Sequence, residues 1–465
     1  MSNQSDFSWT LDNLIYYDKE FGKHSVGLTL LQSATGYHYE ESSMAAEGIP
    51  LESAKWNALS KENVSLLDEW NSGLIEKQLL SYMFRVNYDY NNKYLLTVSG
   101  RWDGASQLAE GNKWAFFPSA ALGWRLDQEE FLKDVTWLNQ LKFRLGVGVT
   151  GNSAIDPYQT KGAIVSLYYP FGSALAPGYA ASEPLIKDGA VAMANKNLSW
   201  EKTTQYNIGL DYSVLNGRIS GVLDFYTSRT TDLLMAMTIP SLNGYTNTYA
   251  NVGKTSNIGV DITLNTVNVK TRDFEWSTSI NAAWQKDKID ELANGKEDDI
   301  NNNWFIGQAL GVIYGYECGG LWKEEDAAEM AKFNAKGHSF QAGMVRPIDQ
   351  NGDYKIDPND DRVIIGHTRP RWTFGMTNTF TYKNFDLSVM MYGRFDYMVD
   401  TGGEWQGGRY MQRKINYYNE NNKNAEYQKP IYNIGGGDPY YRIVGYKNGS
   451  FLKVRNISLG YTFPQ

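Results

Sequence analysis

The chain has 465 residues, a formal net charge of −8, 21% charged and 42% hydrophobic residues. The acidic balance excludes a nucleic-acid binder, which needs a basic stripe to gather phosphates, and the hydrophobic share excludes a disordered chain. A single cysteine, Cys318, rules out an intrachain disulfide and a cysteine-based zinc site, and His24, His38, His338 and His367 lie too far apart for a metalloprotease motif. The opening "MSNQSDFSWT" has neither the basic start nor the apolar core of a signal peptide. No apolar run approaches the roughly 18 residues of a membrane helix. Aromatic residues reach 14%, with 32 Tyr and 14 Trp, an excess that suits β-structure and membrane-boundary girdles.

In chain order, the first clear element is "SYMFRVNYDY". Tyr82, Phe84, Val86, Tyr88 and Tyr90 make one face; Ser81, Met83, Arg85, Asn87 and Asp89 make the other. Strict alternation means a strand with two unlike surfaces. The pattern recurs in "YLLTVSGR", where Tyr94, Leu96 and Val98 oppose Thr97, Ser99 and Arg101. Further on, Phe143, Leu145, Val147 and Val149 oppose Lys142, Arg144, Gly146 and Gly148. Then Tyr206, Ile208, Leu210 and Tyr212 oppose Gln205, Asn207, Gly209 and Asp211, and Ile258, Val260, Ile262 and Leu264 oppose Gly259, Asp261 and Thr263. Phe274, Trp276, Ile280 and Trp284 follow, and the last set is Ile457, Leu459, Tyr461 and Phe463. About thirteen such strands are expected, many of about ten residues or more, the length of a tilted strand crossing a bilayer.

The connections alternate between short (Asp18–Lys23, Asn91–Lys93, Leu215–Gly217, Lys270–Arg272, Lys383) and long (Glu41–Gln78, Gly151–Trp200, Asp287–Pro370, Tyr397–Gly449). Short turns at one end and long loops at the other are the signature of an outer-membrane barrel. Soluble domains rarely carry such loops. A soluble core would also not bury Arg85, Asp89, Arg144, Asp211 and Asp261 on one inner wall. The expected fold class is all-β: an antiparallel transmembrane β-barrel with long extracellular loops. The competing arrangement pairs the aromatic faces into the core of a soluble sandwich.

Within this frame the words of the sequence become familiar. "VSGRWDGASQLAEGNKWAFFPSAALGWRL" (Val98–Leu126) resembles the strand–loop–strand signature of the SusC/RagA family of TonB-dependent outer-membrane transporters. "GVTGNSAIDPY" (Gly148–Tyr158), Asn197–Leu234, Asn251–Leu264, Asp349–Asn378 and "FLKVRNISLGYTFP" (Phe451–Pro464) continue the resemblance in family order. It implies barrels of about 22 strands around a plug, of which residues 1–465 would supply about thirteen, incomplete at both ends and without the plug domain. It also implies import of oligosaccharides or peptides, a SusD-like surface lipoprotein as lid, and energy from TonB–ExbB–ExbD acting through the plug region. The other functional reading is a secreted or surface β-protein that binds glycans without transport.

One stretch suggests a metal. In "DQNGDYKIDPND", Asp349, Asn351, Asp353, Asp357 and Asp360 fall at positions 1, 3, 5, 9 and 12 of an EF-hand-like loop, with the Lys355 carbonyl at position 7. Such oxygens can wrap Ca²⁺, although position 6 is Tyr354 rather than Gly and position 12 is Asp rather than Glu. The bland reading is an acidic Asn-Gly turn. "GVGVTG" (Gly146–Gly151) matches a dinucleotide fingerprint, but no helix follows to receive a pyrophosphate. The Arg101–Asp103 pair reads as a device that orders a strand end. Glu324–Lys336 reads as a short amphipathic helix covering a loop. Trp56, Trp70, Tyr168, Tyr169, Tyr245, Tyr249, Trp304, Trp322, Trp405 and Tyr410 fall in the expected external loops, where flat rings could stack on sugars. No nucleophile–base set or carboxylate pair suggests an enzyme.

Overall fold

A computed structural model describes residues 2–45, 69–161, 164–172, 174–181, 192–240, 247–401, 415–430 and 438–463. Thirteen strands form one antiparallel sheet. They are β1 (Ser2–Phe21), β2 (His24–Ala45), β3 (Glu69–Tyr90), β4 (Tyr94–Ala105), β5 (Trp114–Arg125), β6 (Leu138–Asn152) and β7 (Glu201–Val214). After these come β8 (Ile219–Thr231), β9 (Lys254–Lys270), β10 (Phe274–Glu291), β11 (Trp372–Tyr382), β12 (Phe385–Phe395) and β13 (Phe451–Tyr461). Each strand pairs with its neighbours in this order, so the sheet is a plain meander.

The register shows why the alternation matters. Tyr88, Leu96, Leu122, Leu145, Ile208, Phe225, Val260, Trp284, Trp372 and Phe395 are successive cross-strand partners from β3 to β12. One residue away, Arg144, Gly209, Asp224, Asp261, Ala283, Thr373 and Arg394 form the matching row on the opposite face. Because the strand period is two, each face keeps its character across the whole sheet. The apolar row is open: Leu122 is 54% exposed and Ile208 47%. Among the described residues no second layer covers it, so the sandwich arrangement is not what they form. An apolar surface of this extent is stable against lipid and not against water.

The connections sort by end without exception. Residues 22–23, 91–93, 126–137, 215–218, 271–273 and 383–384 close one end; the chain leaves β2, β4, β6, β8, β10 and β12 at the other. Two lie outside the simple contrast of short and long. Residues 106–113 make a compact external loop, and 126–137 make a longer turn with two 3₁₀ segments, Leu126–Gln128 and Glu130–Leu132. That turn is pinned by Glu129, whose carboxylate accepts hydrogen bonds from Lys93 Nζ (2.5 Å), Trp124 Nε1 (2.8 Å) and Tyr94 Oη (2.9 Å). The Lys93 ammonium holds the Glu129 carboxyl below its ordinary range. Both ends of the loop expected over Glu41–Gln78 are strand instead, because β2 and β3 run on together to Ala45 and Glu69; residues 46–68 lie outside the described residues. Alternation there is blurred by polar residues on both faces, as befits a ribbon that stands in water.

The buried core sits in the external loops. Trp322, Met330, Phe333, Phe340, Met344 and Ile356 form one cluster, with Tyr316, Tyr354 and Tyr440 against it. Val345, Ile443 and Val444 form a second. The helix expected over Glu324–Lys336 is present as a 3₁₀ turn, Glu324–Asp326, running into α1 (Ala327–Ala335), and it buries Met330 and Phe333. A third cluster, Ala105, Leu108, Phe117 and Trp200, packs at the rim where β4 and β5 meet the loops.

Candidate functional site: a polar wall and its loop cap

The polar face is built around charge held between strands. Arg144 of β6 donates from Nε to Asp211 Oδ1 (2.9 Å) and from Nη2 to Asp224 Oδ2 (3.0 Å). Gly209 lies between them, and a Cβ there would stand 2.5 Å from Asp224 Oδ1. Asp261 is the direct cross-strand partner of Asp224, so the wall sets a third carboxylate beside the Arg144–Asp211–Asp224 triad. Around this triad run neutral hydrogen-bonding pairs: Asn87 with Thr97 (2.9 Å), Ser99 with Ser119 (2.6 Å) and Thr263 with Asn281 (3.1 Å). Such a surface is wettable and suits the lumen of a barrel. Gly146 and Gly148 lie inside β6, so the fingerprint-like glycines are strand residues. At the external end Arg101 Nε donates to Asp103 (2.6 Å) and Arg101 Nη2 to Ser81 (2.9 Å), with Ser81 1% exposed. This pair fastens strand ends, as its position in the sequence suggests.

Above the wall, the segment 312–367 folds on itself. Val312–Tyr316 pairs with Arg362–His367, and Cys318–Leu321 with Val345–Pro347. The Arg346 guanidinium lies 4.6 Å over Trp322 and donates to both oxygens of Glu329 (2.8 and 2.9 Å). Trp322 is fully buried, so this ring is a core residue and has no face to offer a sugar. Trp304 and Tyr249 are half-buried. The side chains of Trp56, Trp70, Tyr168, Tyr169, Tyr245, Trp405 and Tyr410 lie outside the described residues.

The acidic stretch forms a compact turn whose side chains bind its own backbone. Asp349 accepts hydrogen bonds from the N–H of Gly352 (2.7 Å) and Tyr354 (2.8 Å). Asn351 accepts from Asp353, and Asp353 from Lys355. Asp357 accepts from the N–H of Asn359 and Asp360 and from Lys355 Nζ (2.9 Å). The Lys355 ammonium and those two N–H groups bring the Asp357 carboxyl down to about 2. Tyr354, at the sixth position, has φ 64°, the left-handed turn that glycine usually supplies there. Among the described residues no three His, Cys, Asp or Glu side chains converge on a metal position. Sequence spacing missed the acid that matters most to this loop. Asp361 is fully buried and accepts from the N–H of Gln350 and Asp357, both at 2.8 Å. Its only signal was the second aspartate of a doublet.

Comparison with known proteins agrees with this architecture. The family described as "TonB dependent receptor-like, beta-barrel" matches residues 2–465. TonB-dependent receptor P3 of Formosa agariphila is 29% identical over 98% of this chain and 45% of its own length. TonB-dependent receptor SusC of Bacteroides thetaiotaomicron is 32% identical over 88% of this chain and 40% of its own. Among solved structures, the RagAB peptide importer in its "open-open" state has the same fold, with a TM-score of 0.80 and 23% identity over 100% of this chain and 49% of that one. The chain spans under half the length of the two curated relatives. It belongs to the TonB-dependent receptor-like β-barrel family, in its SusC/RagA branch, and its place is the cell outer membrane.

Proposed function

We propose that this chain is the barrel wall and loop cap of an active importer that carries oligosaccharides or other large nutrients across the outer membrane. A SusD-like lipoprotein closes the external end, and TonB–ExbB–ExbD acts through a plug inside the lumen. The observation that carries this reading is the pair of unlike faces kept in register over the sheet, one apolar and exposed, one lined by the Arg144–Asp211–Asp224 triad and hydrogen-bonding side chains. A protein that only bound glycans at the surface would have no use for a wettable wall through the depth of the membrane. The test is uptake of labelled oligosaccharide by cells that carry the full-length protein, with and without the proton gradient. Uptake that stops when the gradient is dissipated supports import. Surface binding without gradient-dependent uptake favours the glycan-binding alternative.

We also propose Asp349, Asn351, Asp353, the Lys355 carbonyl, Asp357 and Asp360 as a calcium site in the cap. The left-handed Tyr354 supports it, since the loop already turns where an ion-wrapping loop must turn.

A further inference from the structure

The external rim of the sheet has a step. β3 pairs with β2 along its whole length but with β4 only from Leu79 onward, so the β1–β3 ribbon stands above the β4–β5 connection. At the foot of the step is a cavity of about 610 Å³, walled by β3 on one side and by residues 157–161 on the other. Its lining is mixed: the basic residues Lys77, Lys113 and Lys161, the acids Glu76 and Glu110, and the aromatic residues Trp114 and Tyr158.

Four observations mark it as built. Tyr158 holds φ 74°, a conformation that bulky residues adopt only when their surroundings enforce it. The enforcing contact is across the notch: the Glu76 N–H donates to Tyr158 Oη at 3.2 Å. Gln107 Nε2 donates to the Ser153 carbonyl at 3.0 Å and ties the floor to the same wall. Trp114 is stacked on Tyr82, with ring centroids 6.2 Å apart, yet stays 50% exposed. Lys113 and Lys161 have no ion pair among the described residues, whereas Glu76 is engaged by His38 at 3.0 Å.

Height then limits the ligand. Tyr94 pairs with Trp124 at the short-turn end, and Gly104 with Trp114 at the loop end of the same strands. The interval of roughly ten residues, at about 3.3 Å each and a tilt of about 40°, rises about 25 Å, the height of the apolar band of such barrels. Trp114 therefore stands at the outer boundary of the membrane, and the lysines stand in the headgroup layer above it. We propose that this notch binds the phosphorylated sugar headgroup of an outer-leaflet glycolipid. Lys113 and Lys161 take the phosphate, and Trp114 lies under the sugar face. Glu110 supplies an acceptor for sugar hydroxyls. The proposal rests on the outer-membrane placement and is independent of what is transported.

The test uses the full-length protein, stripped of lipid and returned to phospholipid nanodiscs containing a diphosphorylated glucosamine glycolipid, with native mass spectrometry to count what is retained. Wild type retains the glycolipid, and Lys113→Gln with Lys161→Gln retains it about tenfold more weakly, while a Lys202→Gln control is unchanged. Trp114→Ala also weakens retention, and the dephosphorylated glycolipid is held about tenfold less than its parent. Heat-modifiable migration of every variant checks that the barrel is folded. Equal retention by the double variant, or of the dephosphorylated lipid, overturns the proposal. Binding of soluble glucosamine phosphate without retention of the glycolipid overturns the lipid source and assigns the notch to free sugar phosphates.

Discussion

Phe84 and Asn87 lie on one strand and face opposite solvents. Phe84 packs beside Trp102 at 6.4 Å and covers Gly100, where a Cβ would meet its ring at 2.6 Å. Asn87 accepts a hydrogen bond from Thr97 on the polar wall. An arginine at a lipid-facing midplane position costs about 2–4 kcal/mol, while a lumenal one is solvated. Phe84→Arg should therefore lower the folded fraction of the full-length protein in bilayers far more than Asn87→Arg, read as heat-modifiable migration. Equal tolerance would mean the faces are inverted. Acid sensitivity is a second residue-scale property. The Asp357 carboxyl titrates at about 2 in the fold against an ordinary value of 3.8. A lowered carboxylate contributes stability that is complete above 3.8 and is lost as pH falls toward 2. Protease protection of the acidic loop should fall across that window, and Lys355→Met should move the fall to higher pH. A protection curve unmoved by Lys355→Met would remove Lys355 from this role.

The loop cap behaves as an element with its own core. Phe333 of α1 is 3% exposed and meets Trp322, Phe340 and Tyr354 edge-on at 5.5–5.8 Å. Deleting such a ring costs about 3–5 kcal/mol, enough to open a loop segment but remote from the sheet. Phe333→Ala should thus expose residues 312–367 to protease while heat-modifiable migration stays intact. Loss of both together would show that cap and barrel fold as one unit. The calcium proposal belongs to the same element. Calcium should slow proteolysis of the loop around Asp349–Asp360 in wild type and not in Asp349→Ala; no slowing in wild type would leave the turn to its backbone hydrogen bonds alone. The cap also shows where sequence reading stopped. Helix spacing placed α1, because Met330 and Phe333 recur at helical intervals. Nothing local marked Trp322 as buried rather than exposed, since its neighbours Arg346 and Phe340 arrive from elsewhere in the chain. Loop residues carry no period to read, so their partners are set by tertiary contact alone.

At the scale of the molecule, the sheet was legible because lipid imposes a period of two on every strand that crosses it. The rim notch was not, because Lys113, Tyr158 and Glu76 meet only when strands of unequal length lie side by side. The edges of the sheet lead to the last prediction. Among the described residues β1 pairs only with β2, and β13 only with β12. Ile15, Tyr16 and Tyr17 on β1 are all more than half exposed, as are Ile457 and Leu459 on β13. In a meander of thirteen strands the first and last run in the same direction. Joining them would therefore require a parallel pair in a sheet whose other pairings are all antiparallel, and leaving them apart exposes two rows of unpaired N–H and C=O groups to lipid. Residues 1–465 produced alone should consequently fail to give a closed barrel. The expected result is aggregation or a form without heat-modifiable migration in detergent and without conductance in planar bilayers. A discrete pore from this chain alone would show that β1 and β13 can seal against each other and that these thirteen strands form a self-sufficient barrel.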